Sequence, residues 1–217
     1  MVIMLLAFRM RNYKSFREDT TFTMTAAPKQ KGLDYSVFEQ TIAGRKHRIL
    51  SSAVIYGPNA SGKTNLIGAM DTMKKIVLRG HIRNVNEADW NQASNLLELI
   101  PFVGGDPVPT MLGITFIEQG LLIEYVIEVQ LGSFFDGKFS RNIHSETLKI
   151  NEKIVFERGK DLVVNIDNIK EEYLNDKIDQ NIKSAQEIAL SGLNAEELFL
   201  ANGFKTIFAK ELVSLIT

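Results

Sequence analysis

Val2 to Met10 is apolar at nearly every position, the pattern of a buried strand. A polar turn follows at Asn12-Tyr-Lys-Ser-Phe16. Residues Thr20 to Thr25 then alternate with period two, placing Phe22 and Met24 on one face and Thr21, Thr23 and Thr25 on the other. This predicts a half-exposed strand antiparallel to the first. Pro28 to Gly44 has the mixed patterning of a loop. Within 49–56, the run Ala53-Val-Ile-Tyr56, bounded by Gly57-Pro58, predicts a central strand. Lys63 to Arg79 predicts a helix, because Leu66, Met70, Met73 and Val77 recur at spacings that make one apolar stripe. Lys74, Lys75 and Arg79 suit its C-terminal end, and Gly80 can terminate it.

Residues 81–95 are polar, contain Trp90 and predict a loop. Met111 to Glu118 and Leu121 to Leu131 predict two strands joined by a tight turn at Gln119-Gly120. Glu146 to Ile150, Lys153 to Glu157 and Leu162 to Ile166 predict further short strands. From Ile169 the pattern turns helical, with Ile169, Tyr173, Ile178, Ile182, Ala185 and Ala189 able to line one face.

Composition narrows the function classes. The 217 residues contain no cysteine, which excludes disulfide scaffolds, thiolate metal sites and cysteine nucleophiles, and fits a reducing cytoplasm. No apolar run approaches the ~20 residues of a membrane helix. The N-terminal apolar stretch does not fit a signal peptide, because Arg9, Arg11 and Lys14 follow it where a signal peptide carries its charge in front. The net charge of −1 hides an asymmetry: residues 1–80 hold 13 Lys+Arg against 5 Asp+Glu, and residues 81–217 hold 12 against 21. The first third is a plausible seat for an anion. His47, His81 and His144 are too scattered for a metal site; Asp176 and Asp179 read as solvated, and Glu196-Glu197 as a helix-start pair.

One motif carries chemistry. Gly57-Pro58-Asn59-Ala60-Ser61-Gly62-Lys63-Thr64 matches G-x-x-x-x-G-K-[ST], the phosphate-binding P-loop. The glycines permit a backbone curl that turns successive N–H groups inward as an anion nest, and the following helix adds its positive N-terminal end. In this pattern Lys63 sits between the β- and γ-phosphates, and the Thr64 hydroxyl ligates Mg2+. The motif lies between a predicted strand and a predicted amphipathic helix, as the chemistry requires.

Tyr56 to Leu66 resembles the P-loop of ABC-type ATPases of the RecF, SMC and OLD kind, most of all a bacterial group of RecF-like AAA-family ATP-binding proteins found beside phage-defence and toxin–antitoxin genes. Phe8-Arg-Met-Arg-Asn-Tyr-Lys-Ser-Phe16 resembles the first strand and turn of the same family. Ile100-Pro-Phe102, Ile114-Thr-Phe116 and Glu146-Thr-Leu148 echo its β-rich arm. The resemblance implies an α/β P-loop NTPase fold: an ABC-type head with a mixed central sheet, an antiparallel β arm and a C-terminal helical segment. It implies a nucleotide-binding lobe over 1–166 (core 1–80, β arm 111–166), then a helical segment, 167–217, that begins a truncated region. It further implies ATP and Mg2+ as ligands, with Asn65, Lys14 and Ser15 joining the loop near the nucleotide. Cytoplasmic heads would form homodimers around two sandwiched ATP molecules and gate DNA or an effector protein.

An ABC-type head also needs a signature sequence, a Walker B strand ending in Asp-Glu, and a switch histidine. Leu190-Ser-Gly-Leu-Asn194 resembles a damaged signature, although Ser191-Gly192 reads better as a helix end, and no Walker B follows. The resemblance offers Gln119 or Gln130 as the Mg2+-sensing glutamine, but ordinary surface glutamines are the better reading for both. Without Walker B, Mg-nucleotide binding survives and hydrolysis is very slow, and the catalytic residues are unassigned. The expected function is therefore ATP binding as part of an ATPase. The alternative is a vestigial P-loop in an assembly module.

Overall fold

The computed structural model describes residues 3–28, 32, 34–83, 97–104, 108–132, 140–170, 173–174 and 182–216. The described residues form strands β1 (Met4–Arg11), β2 (Thr20–Thr23), β3 (Val37–Ile42), β4 (Arg45–Leu50), β5 (Thr110–Glu118), β6 (Leu121–Leu131), β7 (Arg141–Ile150), β8 (Lys153–Arg158) and β9 (Leu162–Val164). They also form α-helices α1 (Lys63–Arg79), α2 (Ile182–Ser191), α3 (Phe199–Asn202), α4 (Phe204–Ile207) and α5 (Lys210–Ile216).

Seven strands make one sheet in the order β2-β1-β5-β6-β7-β8-β9, and every neighbouring pair is antiparallel. The N-terminal strand and the β arm therefore share one antiparallel sheet. Strict alternation along β6 buries Leu121, Ile123, Tyr125, Ile127 and Val129. Together with Phe8, Met10 and Leu112 these form one core with Leu66, Ala69, Met73 and Ile76 of α1. The helix has the predicted bounds, but its buried stripe is centred on those residues and Thr72, leaving Met70 and Val77 at the margin.

Three predictions are corrected. Residues 37–50, part of which was read as loop, form the β3–β4 hairpin, whose two-residue turn Ala43-Gly44 has positive φ at both positions. This is the geometry that matches strand twist, and Ala43 hides it in the sequence. Second, the expected central strand at 53–56 is not a strand. Among the described residues nothing pairs with the backbone of 52–56, and Val54 and Tyr56 are 86% and 90% exposed. An apolar run becomes a central strand only beside neighbouring strands, and none lies here. Third, among the described residues the helical face does not begin at Ile169, whose backbone is extended. Residues 166–168 make a 3-10 turn, and Ile182, Ala185 and Ala189 belong to the shorter α2. Ile178, Asp176 and Asp179, like Trp90, lie outside the described residues. Ser191 ends α2.

The C-terminal segment is fastened to both the sheet and α1. Gly80 ends α1 with φ 72°, and its carbonyl accepts from Leu198 N (2.8 Å) and Asn202 Nδ2 (3.1 Å), while Ile82 N donates to Glu196 O (2.9 Å). Fully buried Glu146 on β7 accepts from Phe199 N, Leu200 N and Tyr125 OH, each at 2.8 Å. Arg158 of β8 lies 3.5 Å from the same carboxylate and donates to the carbonyls of Glu197 and Asn194. Phe156, Phe199, Phe204 and Phe208 cluster beside this knot, Phe199 edge-on to Phe156 and Phe204 stacked on Phe208.

Candidate functional site

The loop joining Tyr56 to α1 has the local conformation that its residue types anticipate. Ala60 and Gly62 both lie at positive φ, 64° and 91°. Gly62 is the N-cap of α1, and its carbonyl accepts the first helical bond, from Leu66 N at 3.1 Å. The N–H groups of Lys63, Thr64 and Asn65 therefore have no intrahelical acceptor and point out of the helix end. No side chain caps them. An anion is the complement of such an end.

Glycine is required at position 62 on two counts. Its φ disfavours a side chain, and an added Cβ would lie 3.1 Å from both Phe16 Cζ and Ser15 Oγ. Lys63 folds back over the loop: its Nζ donates to Gly57 O and Pro58 O, each at 2.7 Å, with Ser61 Oγ at 3.4 Å. The Ser61 N–H closes the turn onto Pro58 O at 3.3 Å. Asn59 and the Thr64 hydroxyl are exposed. A cavity of about 320 Å3 opens beside the loop, lined by Phe16, Ile55, Tyr56, Lys63 and the two glycines among others.

These features fit a nucleotide's phosphates. Three outward N–H groups, one ammonium and an open cavity suit an anion, and the exposed Thr64 hydroxyl is an oxygen ligand of the kind Mg2+ takes. Among the described residues no group of three His, Asp or Glu side chains could hold a metal ion. Among the described residues no carboxylate of the kind that completes a Mg2+ shell in P-loop ATPases lines the cavity beside this loop.

The two sequence motifs meet in space. Asn65 Nδ2 donates to Ser15 Oγ at 2.8 Å, pinning the 12–16 turn against the start of α1. The turn is tightly made, with reciprocal backbone bonds between Tyr13 and Phe16 (2.9 and 2.8 Å) and positive φ at Asn12 and Lys14. Buried Asn12 locks it from behind, donating to Val108 O (2.6 Å) and accepting from Phe102 N (2.9 Å). Tyr13, fully buried, bonds Thr72 of α1 through its hydroxyl at 3.2 Å. Lys14 is not directed at the loop: its ammonium pairs with Glu98 and lies over the Tyr13 ring. Burial pulls the Lys14 pKa down, but the hydrogen bond to Glu98, with Tyr13 and the Glu98 charge, more than offsets this and holds it above its ordinary value.

Sequence reading missed Glu98 and Asn12, whose partners are distant in the chain. Of the other candidates, Gln130 reaches only Leu131 O, at 3.4 Å, and Gln119 sits in the β5–β6 turn with φ 50°. His81 accepts from Arg83 N at 3.2 Å, and Glu197 pairs with Arg83 at 2.8 Å, so both serve the junction of α1 with the C-terminal segment. Among the described residues, no helix is long and apolar enough to cross a membrane.

No curated protein matches the sequence significantly. A protein-family model described as "AAA domain, putative AbiEii toxin, Type IV TA system" matches residues 52–200, which take in the P-loop, the β arm and the segment knotted to Glu146. That span is well over half of the chain, and with it the chain belongs to this family of AAA-type P-loop ATP-binding domains.

Proposed function

We propose that this chain is the Mg-ATP-binding module of a RecF/OLD-like ATPase. Residues 57–64 cradle the phosphates, Lys63 neutralises them and Thr64 contributes a Mg2+ ligand. Asn65 and Ser15 complete the wall beside the loop, and Lys14 joins it only on leaving Glu98. The observation that carries the reading is the helix end itself: three unsatisfied N–H groups, a left-handed glycine cap and a lysine at one anion-sized opening. Bound nucleotide supplies charge for this electropositive end, and Mg2+ balances the phosphates.

The chain lacks a Walker B strand and an intact signature, so turnover depends on a second polypeptide segment. In this reading, 1–166 forms the nucleotide-binding lobe and 167–217 the helical segment. The setting is cytoplasmic, and ATP occupancy of paired heads gates an effector or DNA. The family's description in terms of toxin–antitoxin systems supports a defence-related role.

The test is binding of a fluorescent ATP analogue with Mg2+. Lys63→Ala removes the ammonium and should weaken binding at least tenfold while leaving the circular dichroism spectrum unchanged, since Lys63 contacts only its own loop. Equal binding by wild type and Lys63→Ala refutes the proposal. A second reading, a vestigial loop in an assembly module, draws on the exposed apolar segment at 54–56. It requires that millimolar Mg-ATP leave the melting temperature unchanged, whereas a ligand at 100 times Kd adds ~2.7 kcal/mol.

A further inference from the structure

We propose that Glu98 is an internal competitor for Lys14, holding its ammonium away from the phosphate site until a polyphosphate takes it over. The inference deepens the nucleotide reading above and rests on it.

The geometry sets two poles within reach of one side chain. An added Cβ on Gly68 would lie 3.7 Å from Lys14 Nζ and 3.9 Å from Glu98 Oε2, which locates the ion pair over that point of α1. Gly68 is four residues beyond Thr64, so the pair rests about one helical turn, ~5.4 Å, from the Thr64 level and on the same face. The neighbouring Ser15 touches Asn65 and the Gly62 cap. The backbone of the turn is therefore anchored at the loop, while the lysine side chain is drawn up the helix.

Only that side chain is free to exchange. Lys14 N is fixed to Ile100 O at 2.8 Å, and Tyr13 is fully buried. Glu98 is flanked by buried Leu97 and Leu99 and cannot follow the lysine down the helix. The Glu98 side chain is 58% exposed against 20% for Lys14, so the tether is a half-solvated single carboxylate and a weak one. A triphosphate at the end of α1 gathers several negative charges at a positive helix terminus and is the stronger partner. A four-carbon stem lets the ammonium swing through one turn without backbone movement.

Binding of the fluorescent ATP analogue with Mg2+ to the full chain tests this with four proteins: wild type, Glu98→Gln, Lys14→Met and the double variant. Glu98→Gln should tighten binding about three- to fivefold, because the lysine no longer leaves an ion pair. Lys14→Met should weaken it about tenfold, and the double variant should match Lys14→Met within twofold. If wild type binds and Lys63→Ala does not, the nucleotide reading stands. A Glu98→Gln that binds no tighter than wild type, or that tightens binding even without Lys14, then overturns the competitor alone. If wild type and Lys63→Ala bind equally, the nucleotide reading falls and takes this inference with it.

Discussion

Glu146→Gln is the sharpest probe of how the C-terminal segment is held. The carboxylate faces donors only: Leu200 N and Tyr125 OH on one oxygen, Phe199 N and Arg158 on the other. Glutamine keeps the shape but replaces one oxygen with an NH2 group. With the amide oxygen toward Leu200, the NH2 faces Phe199 N–H and the Arg158 guanidinium. With the amide flipped, Tyr125 can accept from it, but Leu200 N–H is then opposed. Either way at least one buried backbone N–H loses its acceptor, a cost of about 1–3 kcal/mol. Arg158, its side chain only 7% exposed, also loses its counter-charge, and breaking a buried pair from one side costs about 3–5 kcal/mol. Because these terms share atoms, they do not add in full, and the expected loss is about 4 kcal/mol. At roughly 2–4 °C per kcal/mol for a chain of this size, the melting temperature should fall by about 8–16 °C.

Denaturant unfolding measures the total, and amide hydrogen exchange locates it. Phe199 and Leu200 should lose protection beyond the global change, since their N–H groups are the ones Glu146 holds. A loss below about 1 kcal/mol, or unaltered exchange at those two amides, would show that the Glu146 carboxylate does not hold the segment. Burial raises the pKa of Glu146, against the pull of the two backbone donors, Tyr125 and Arg158. A raised carboxyl pKa means that the native state binds its proton more tightly than the unfolded chain. Its contribution is therefore fully present below the unfolded value of 4.5 and declines as pH rises through the folded one.

Two further outcomes complete those stated for Lys63 and Glu98. Gly68→Ala should stabilise the chain by about 0.5–1 kcal/mol in denaturant melts, because the new Cβ meets only ordinary contacts, the nearest at 3.6 Å, and alanine is the better helix former. Loss of stability there would mean that the Lys14–Glu98 pair is packed more tightly on α1 than these distances imply. His81 has its pKa lowered by burial, then by Arg83 and Arg79. Its contribution is present above the unfolded value of 6.5 and fades as pH falls through the folded value. Wild type should accordingly lose more thermal stability than His81→Gln between about pH 7.5 and about pH 5.5, and identical slopes would refute the assignment.

What was legible in the sequence was what is local in the chain. The P-loop is eight consecutive residues, and α1 and the β5–β6 hairpin announce themselves through periods of 3.6 and 2 and through the turn at Gln119-Gly120. What was illegible depends on partners far away in sequence. Lys14 and Glu98 are 84 residues apart, and Glu146 and Leu200 are 54 apart. A single sequence carries no sign that either pair meets. Ala53-Val-Ile-Tyr56 is the instructive case, because its composition is right for a strand and its conformation is not. Hydrophobicity encodes a demand for burial, whereas strand formation also needs a second row of donors and acceptors. Among the described residues that row does not exist, so the demand stands unmet beside the phosphate loop, with Tyr56 90% exposed.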